Sequence, residues 1–208
     1  SMVFSSPAFS FMLLPIAIAI YYNPFCKSRT FKNRFLLFIS LVFYACGEPS
    51  YSILLLLSIL IGWMAARAIG NSTDKKSRKR VLIADISFHV LLLFVFKYLT
   101  FTIQQLGLLL HTSFINLQIA LPLGISFFTF QILSYVFDVY YKRIPAQKNL
   151  FDIALYVALF PQLVAGPIVR YSSVMDEIRT RRESWDLFSD GMSRFIYGLR
   201  SPQSEIRI

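Results

Sequence analysis

The feature that most constrains this chain is an alternation of long apolar blocks with short connections of contrasting charge. The early apolar blocks run over 4–22, 35–46 and 51–69. The connections 23–34 and 71–80 are strongly basic, whereas the turn between the second and third blocks carries only Glu48. Alternate connections share one side of a membrane, and basic loops stay in the cytoplasm. The pattern therefore predicts a multi-pass membrane protein whose amino terminus and Glu48 lie outside.

Composition supports a membrane protein and excludes a nucleic-acid-binding one. The chain has 208 residues, 56% of them hydrophobic, whereas soluble domains contain about 45–50% apolar residues. The net charge of +10 is concentrated in the short connections, where the positive-inside rule places it. Cys26 and Cys46 have neither metal-site spacing nor the pattern of a disulfide framework. The partner expected from composition is the lipid bilayer, and neither a metal nor a nucleic acid is expected.

The later blocks complete an all-α prediction. Further apolar blocks cover 81–101, 121–141 and the stretch from 150 onward, and the connection 142–149 is again basic. Two regions are amphipathic, which is typical of interfacial helices; they are 102–119 and the segment after Tyr171. We expect about five to six membrane-inserted helices together with interfacial helices. If the segment after Tyr171 is cytoplasmic, the sixth block dips into the membrane and returns.

The segment 155–171 is apolar but interrupted. Its interruptions are Pro161, Gly166 and Pro167, and Arg170 follows them. Proline removes a backbone donor, and broken helices persist in lipid only where protein or a water-filled cavity surrounds them. One interpretation is the wall of a buried site, in which Arg170 attracts an anionic donor. The other is a kinked helix with an interfacial arginine, and the sequence leaves both open.

A polar stripe runs along the block 121–141. Its members recur at steps of three and four residues; they are Gln131, Ser134, Tyr135, Asp138 and Lys142. In a membrane helix such a stripe faces the interior of the bundle, and Asp138 is expected to pair with Lys142 one turn later. The stripe serves either helix packing or the lining of a substrate path.

Ionisable residues also interrupt the fourth block. Asp85 and His89 lie one helical turn apart, hence on one face. Arg78 and Arg80 are the expected partners of Asp85, and Lys97 is close enough to the far end to reach the interface. Intramembrane ionisable groups are functional candidates, but the placement of this pair favours a structural role for His89 over a chemical one.

Four stretches together resemble one family, in the same order along the chain. They are MVFSSPAF at 2–9, LPLGISFFTFQ at 121–131, SYVFDVYY at 134–141 and FPQLVAGPIVRY at 160–171. They resemble the amino-terminal half of the membrane-bound O-acyltransferases, nearest to the AlgI-like alginate O-acetyltransferases and more distantly to the D-alanyl transfer protein DltB. The resemblance extends over 2–199, which we treat as one domain.

The resemblance implies an enzyme of the bacterial inner membrane, with helices in a ring around a narrow funnel. It implies transfer of an acyl group, usually acetyl, from acetyl-CoA or an acyl-carrier thioester. The acceptor would be a hydroxyl of an exported polysaccharide such as alginate, or a periplasmic acyl-transfer partner protein. The family's hallmark histidine is expected beyond residue 208. Neither His89 nor His111 lies in its context, so no catalytic residue is assigned within this chain.

The substrate-path candidates are therefore residues that line rather than catalyse. They are Gln131, Ser134, Asp138, Pro161, Gly166, Pro167 and Arg170. The polar tail 200–208 departs from the family and indicates a truncation, a frameshift product or a fragment, inactive alone. The alternatives are a transporter or flippase, whose broken helices would look similar, and an inactive fragment that acts as a partner in polysaccharide export.

Overall fold

The computed structural model describes residues 14–22, 28–47, 49–98, 101–102, 124–159, 169–181 and 183–200. All regular secondary structure in these ranges is helical, which confirms the all-α prediction. The helices are α1 Leu14–Tyr21, α2 Arg29–Gly47, α3 Pro49–Asn71, α4 Lys75–Leu93 with a π-helical continuation Phe94–Tyr98, α5 Ile125–Tyr140, α6 Leu150–Ala158, α7 Tyr171–Thr180 and α8 Trp185–Arg200.

Within the described residues, two helical stretches are long and apolar enough to cross a membrane. They are Tyr51–Asn71 and Lys75–Tyr98, and the apolar helix α5 is shorter. Many of their large apolar side chains are exposed, including Ile53, Leu56 and Leu91. Exposed apolar faces on long helices are the surfaces that lipid would cover.

The basic connections are shorter than the sequence predicts, because their cationic residues are already helical. α2 begins at Arg29 rather than at residue 35, and α4 begins at Lys75 rather than at residue 81. Lysine and arginine have good helix propensity. The Asp74 side chain also caps α4 by accepting hydrogen bonds from the backbone N–H groups of Lys76 and Ser77, at 3.2 and 3.0 Å.

α3 lies at the centre of the helical core and runs parallel to α5. At Gly62 a Cβ atom would lie only 2.2 Å from Ile132 Cγ2, and at Gly70 it would lie 2.7 Å from Ala146 Cβ. Gly62 and Ile132 lie near the middle of the two helices, whereas Gly70 lies at the end of α3 and Ala146 in the connection that follows α5, so both helices run in the same direction. Small residues let the backbones approach closely, as is usual between membrane helices.

α4 runs antiparallel to α3 and α5. At its beginning, the Arg78 guanidinium donates a hydrogen bond to the carbonyl oxygen of Tyr140, at the end of α5. At its far end, the Phe96 ring packs edge-on against Tyr51 of α3 with centroids 5.7 Å apart. α3, α4 and α5 therefore form a three-helix unit with a defined register.

Gln147, in the connection between α5 and α6, joins four parts of the fold. Its backbone N–H donates to Tyr135 Oη at 2.9 Å, and its carbonyl accepts from Trp63 Nε1 at 2.9 Å. Its side-chain amide donates to Tyr171 Oη at 2.7 Å and accepts from Arg179 Nη2 at 3.0 Å. α3, α5 and α7 are thus tied to this connection through one buried residue.

A second polar junction links α1 and α2 to the connection between α7 and α8. Glu183 accepts hydrogen bonds from Tyr21 Oη and Lys32 Nζ, each at 2.6 Å, and from Arg29. Burial opposes the charge, but the hydrogen bonds from Lys32, Tyr21 and Arg29 outweigh it and lower the pKa of Glu183 to about 2. The junction fixes the connection between the two helices of the amphipathic pair α7–α8.

Candidate functional site: a polar layer in the helical core

The predicted inward orientation of the α5 stripe is confirmed. Gln131 and Tyr135 have no exposed surface, Asp138 is 3% exposed, and Ser134 is half-buried. Because α5 packs against α3, α4 and α6, these groups lie in the interior of the helical core. The structure therefore groups three of the predicted path residues: Gln131, Ser134 and Asp138.

The predicted Asp138–Lys142 pair is wrong. α5 ends at Tyr140, and Lys142 has φ 58°, in the left-handed region, so the helical spacing that would bring the two together is lost. Asp138 Oδ1 instead contacts Arg143 Nη1 at 3.3 Å, and the Arg143 backbone N–H donates to the Asp138 carbonyl at 2.9 Å. Because the chain turns at the end of α5, the partner of Asp138 is Arg143.

α4 contributes a buried pair to the same core. His89 Nδ1 lies 3.4 Å from Asp85 Oδ1 and 2.9 Å from the Asp85 carbonyl oxygen. Since a carbonyl only accepts, Nδ1 carries the proton in this contact. Asp85 therefore has His89 as its partner, rather than Arg78 or Arg80 as the sequence suggests; the Arg78 guanidinium is held by Tyr140.

The register of α4 against α5 places Asp85 and His89 at the depth of Gln131 and Thr129. Asp85 lies seven residues along α4 from Arg78, and Leu133 lies seven residues back along α5 from Tyr140, about 10 Å in each helix. Asp85 is therefore level with the Gln131 turn of α5. By the same reasoning His89, one turn further along α4, is level with Thr129.

This polar layer contains many side-chain atoms that have no hydrogen-bond partner among the described residues. They are Ser58 Oγ, both carboxylate oxygens of Asp85, His89 Nε2, Thr129 Oγ1 and both amide atoms of Gln131. Asp85 Oδ1 is 3.4 Å from His89 Nδ1 but is not hydrogen-bonded to it. A further atom of this kind, Asp138 Oδ2, lies about 10 Å from Gln131 toward the end of α5. A buried polar group without a partner costs about 1–3 kcal/mol. Such a layer favours binding of polar groups such as hydroxyls. Among the described residues, no three His, Cys, Asp or Glu side chains are grouped as metal ligands.

Of the remaining predicted site residues, the structure describes Arg170. Arg170 is exposed and precedes α7, where its carbonyl accepts hydrogen bonds from the backbone N–H and hydroxyl of Ser173 at 3.1 and 2.7 Å. Pro161, Gly166 and Pro167 lie outside the described residues, as do His111 and Cys26. Arg170 is therefore not among the buried groups of the polar layer, although the next residue, Tyr171, packs against Tyr135 of the stripe with ring centroids 5.3 Å apart.

Sequence reasoning missed two members of the layer and one junction. Ser58 interrupts an otherwise apolar block one turn before Gly62, and Thr129 lies two residues before Gln131. Both are short polar side chains that are unremarkable until the helix register is known. Gln147 has no motif around it, and only tertiary contacts show its role.

Comparison with known proteins confirms the resemblance to the AlgI-like group of membrane-bound O-acyltransferases. The chain is 34% identical over 202 residues to the probable alginate O-acetylase AlgI of Pseudomonas aeruginosa, a match that covers 95% of this chain and 38% of that protein. For AlgI of Azotobacter vinelandii the identity is 33%, with coverage of 95% and 40%. A peptidoglycan O-acetyltransferase of Helicobacter pylori is 30% identical over 210 residues, covering 88% of this chain and 40% of that protein.

The chain spans about two fifths of the length of these relatives. No family model matches it. No solved structure matches it either.

Proposed function

We propose that this chain is the amino-terminal part of a membrane O-acetyltransferase that acts on an exported polysaccharide such as alginate. The observation that carries the proposal is the similarity to alginate O-acetylases over 95% of the chain. The peptidoglycan O-acetyltransferase relative supports the same reaction class with a different acceptor. The protein would lie in the bacterial inner membrane as a multi-pass protein and take its acetyl group from a cytoplasmic thioester.

The reaction requires a nucleophile, a base and a route through the membrane. The acceptor hydroxyl oxygen bonds to the thioester carbon, the thiolate leaves, and the hydroxyl proton passes to a base. A histidine with a pKa near neutrality suits that base, and from the resemblance we expect it beyond residue 208. The residues of this chain would bind and orient the substrates instead.

The polar layer, together with Asp138 seven residues further along α5, is the part of this chain that fits such a role. Gln131 offers a donor and an acceptor, Asp138 an acceptor, and all three of these atoms are buried without hydrogen-bond partners among the described residues. Hydroxyl groups that pass the layer would satisfy them. Arg170, exposed at the start of α7, would act either as an interfacial anchor or as an attraction for an anionic donor.

The proposed topology has a direct test. Cysteines introduced at Ser28 and Ser77, in a background in which Cys26 and Cys46 are replaced by alanine, should react with an impermeant thiol reagent only from the cytoplasm. A cysteine at Ser50 should react only from outside. Labelling at positions 28 and 77 from opposite faces would contradict the topology.

The role of the layer is tested in the full-length gene product. Gln131→Leu keeps the side-chain volume but removes both polar atoms, so we expect at least a tenfold fall in polysaccharide O-acetylation at unchanged protein level. Phe130→Leu is the matched control, because Phe130 lies next in sequence but is 49% exposed. Equal activity of both variants would exclude Gln131 from the path. Transport of an acyl carrier without ester formation would favour the transporter alternative.

A further inference from the structure

The first turns of α4 carry an unusual concentration of cations. They are Lys75, Lys76, Arg78, Lys79 and Arg80, and the first turn holds no acidic residue. A helix amino terminus already carries partial positive charge, so cations there are unfavourable and anions are favourable. Asp74 caps the helix but is a single carboxylate. This local conflict is relieved if an anion binds beside the helix terminus.

The end of α5 adds to the same charge. Lys142 and Arg143 follow α5, and two adjoining cavities of about 370 and 680 Å³ share Arg78 in their walls. Tyr140 lies beside the smaller cavity, and Lys142 and Arg143 line the larger one. We refer to Lys75, Lys76, Arg78, Lys79, Lys142 and Arg143 as the basic cluster.

Most of the basic cluster is not neutralised by the described part of the protein. Arg143 contacts Asp138, but no carboxylate among the described residues lies within ion-pair distance of Lys75, Lys76, Lys79 or Lys142. Arg78 is held in place differently: its guanidinium bonds to the Tyr140 carbonyl and lies 5.4 Å from the centre of the Tyr140 ring. One guanidinium held in place, with ammonium groups that have no carboxylate partner nearby, suits a phosphate.

The cluster continues directly into an exposed apolar face of α4. Ile83 lies one turn after Lys79, and Val90, Leu91 and Phe94 continue the exposed face, each between 42% and 61% exposed. From Ile83 to Phe94 the rise is about 16 Å, close to half of the ~30 Å hydrocarbon thickness of a bilayer. The cations therefore lie where a headgroup would be if acyl chains covered this face.

We propose that the basic cluster binds the phosphate headgroup of an anionic phospholipid whose acyl chains lie along the exposed face of α4. A free phosphate would interact only with the charged groups of the cluster, whereas a lipid would also cover the apolar face of α4. Each cation in a juxtamembrane basic cluster raises the affinity for anionic lipids by about fivefold. The inference rests on the membrane placement proposed above, and it concerns a site away from the polar layer.

The test is a lipid titration of the purified chain in neutral detergent, followed by thermal unfolding. Phosphatidylglycerol should raise the unfolding temperature, and phosphatidylcholine of the same chain length should raise it much less. In the Lys76→Gln/Lys79→Gln variant the concentration of phosphatidylglycerol for half-maximal effect should rise about 25-fold. Both lysines are exposed, so the substitutions leave the core intact.

A charge-matched control separates a site from general attraction. Lys148→Gln/Arg194→Gln removes the same charge from two exposed positions outside the cluster and should keep the wild-type response. Equal weakening in both double variants, or an equal response to the two lipids, would overturn the proposal. So would the same protection by glycerol 3-phosphate alone, because that would show a free-phosphate site. If cysteine labelling supports the topology while the lipid titration fails, only this inference falls.

Discussion

The close approach of α3 and α5 at Gly62 gives a quantitative prediction. In Gly62→Ala the new methyl carbon would lie 2.2 Å from Ile132 Cγ2, and real contacts of this kind are not shorter than 3.0 Å. Ile132 is β-branched and has essentially one χ1 rotamer in a helix, so the helices themselves must separate. Overpacking of this kind costs about 1–3 kcal/mol, while alanine recovers about 1 kcal/mol of helix propensity.

Gly191→Ala is the matched control, because no atom lies within 4 Å of a Cβ at Gly191. Gly191→Ala should gain the helix propensity of alanine without a steric clash. The free energies of unfolding of the two variants should therefore differ by about 1–3 kcal/mol. The assay is denaturant unfolding in detergent, followed by the fluorescence of Trp63 beside the site. The comparison is then repeated in an Ile132→Ala background.

Ile132→Ala removes the clashing methyl group, so Gly62→Ala should there become stabilising by about 1 kcal/mol. Ile132→Ala alone lowers stability by about 2–5 kcal/mol, and each effect is therefore read within its own background. The reasoning is refuted if Gly62→Ala has the same effect whether residue 132 is isoleucine or alanine.

The remaining predictions concern the two polar junctions, at Gln147 and Glu183, and the second close glycine contact, at Gly70. Gln147→Ala removes the side-chain hydrogen bonds to Tyr171 and Arg179, so it should lower the free energy of unfolding in detergent by about 2–3 kcal/mol. Gln147→Glu should lower it less, because the carboxylate keeps the acceptor for Arg179. The Glu183 pKa is lowered from 4.5 to about 2, so its contribution is complete above about pH 4.5 and is lost as the pH falls toward 2. After solvent screening that contribution is about 0.5–1 kcal/mol, and Glu183→Gln should flatten the pH dependence of the unfolding temperature; an unchanged profile would contradict it. Gly70→Ala should be destabilising because of Ala146 Cβ at 2.7 Å, and Ala146→Gly should relieve it.

The helical class and the inward face of α5 follow from the sequence because both depend on local periodicity. Gln131 and Asp138 share one face at helical spacing, and that face is buried. The apolar pattern places the start of α4 too late, at residue 81, because it assigns the basic residues 71–80 to a connection although lysine and arginine have good helix propensity. Asp74, a good capping residue, was the signal that the helix begins at Lys75.

The partners of the ionisable groups depend on information that periodicity does not carry. Asp138 was expected to bind Lys142, but α5 ends two residues earlier and Arg143 takes its place. Ser58 lies in the polar layer because of the register of α3 against α4 and α5, which sequence periodicity does not predict. A spacing rule predicts which residues share a face, whereas the chain turns and helix crossings decide what that face meets.

The most direct measurement is acetyl transfer by the full-length gene product in proteoliposomes. A labelled acetyl thioester is supplied on the cytoplasmic side and deacetylated alginate on the other. We predict labelled, base-labile acetyl esters on the polysaccharide, with formation reduced at least tenfold by Gln131→Leu and unchanged by Phe130→Leu. Absence of ester formation across donors and polysaccharide acceptors, in protein that inserts with the predicted topology, would contradict an O-acetyltransferase.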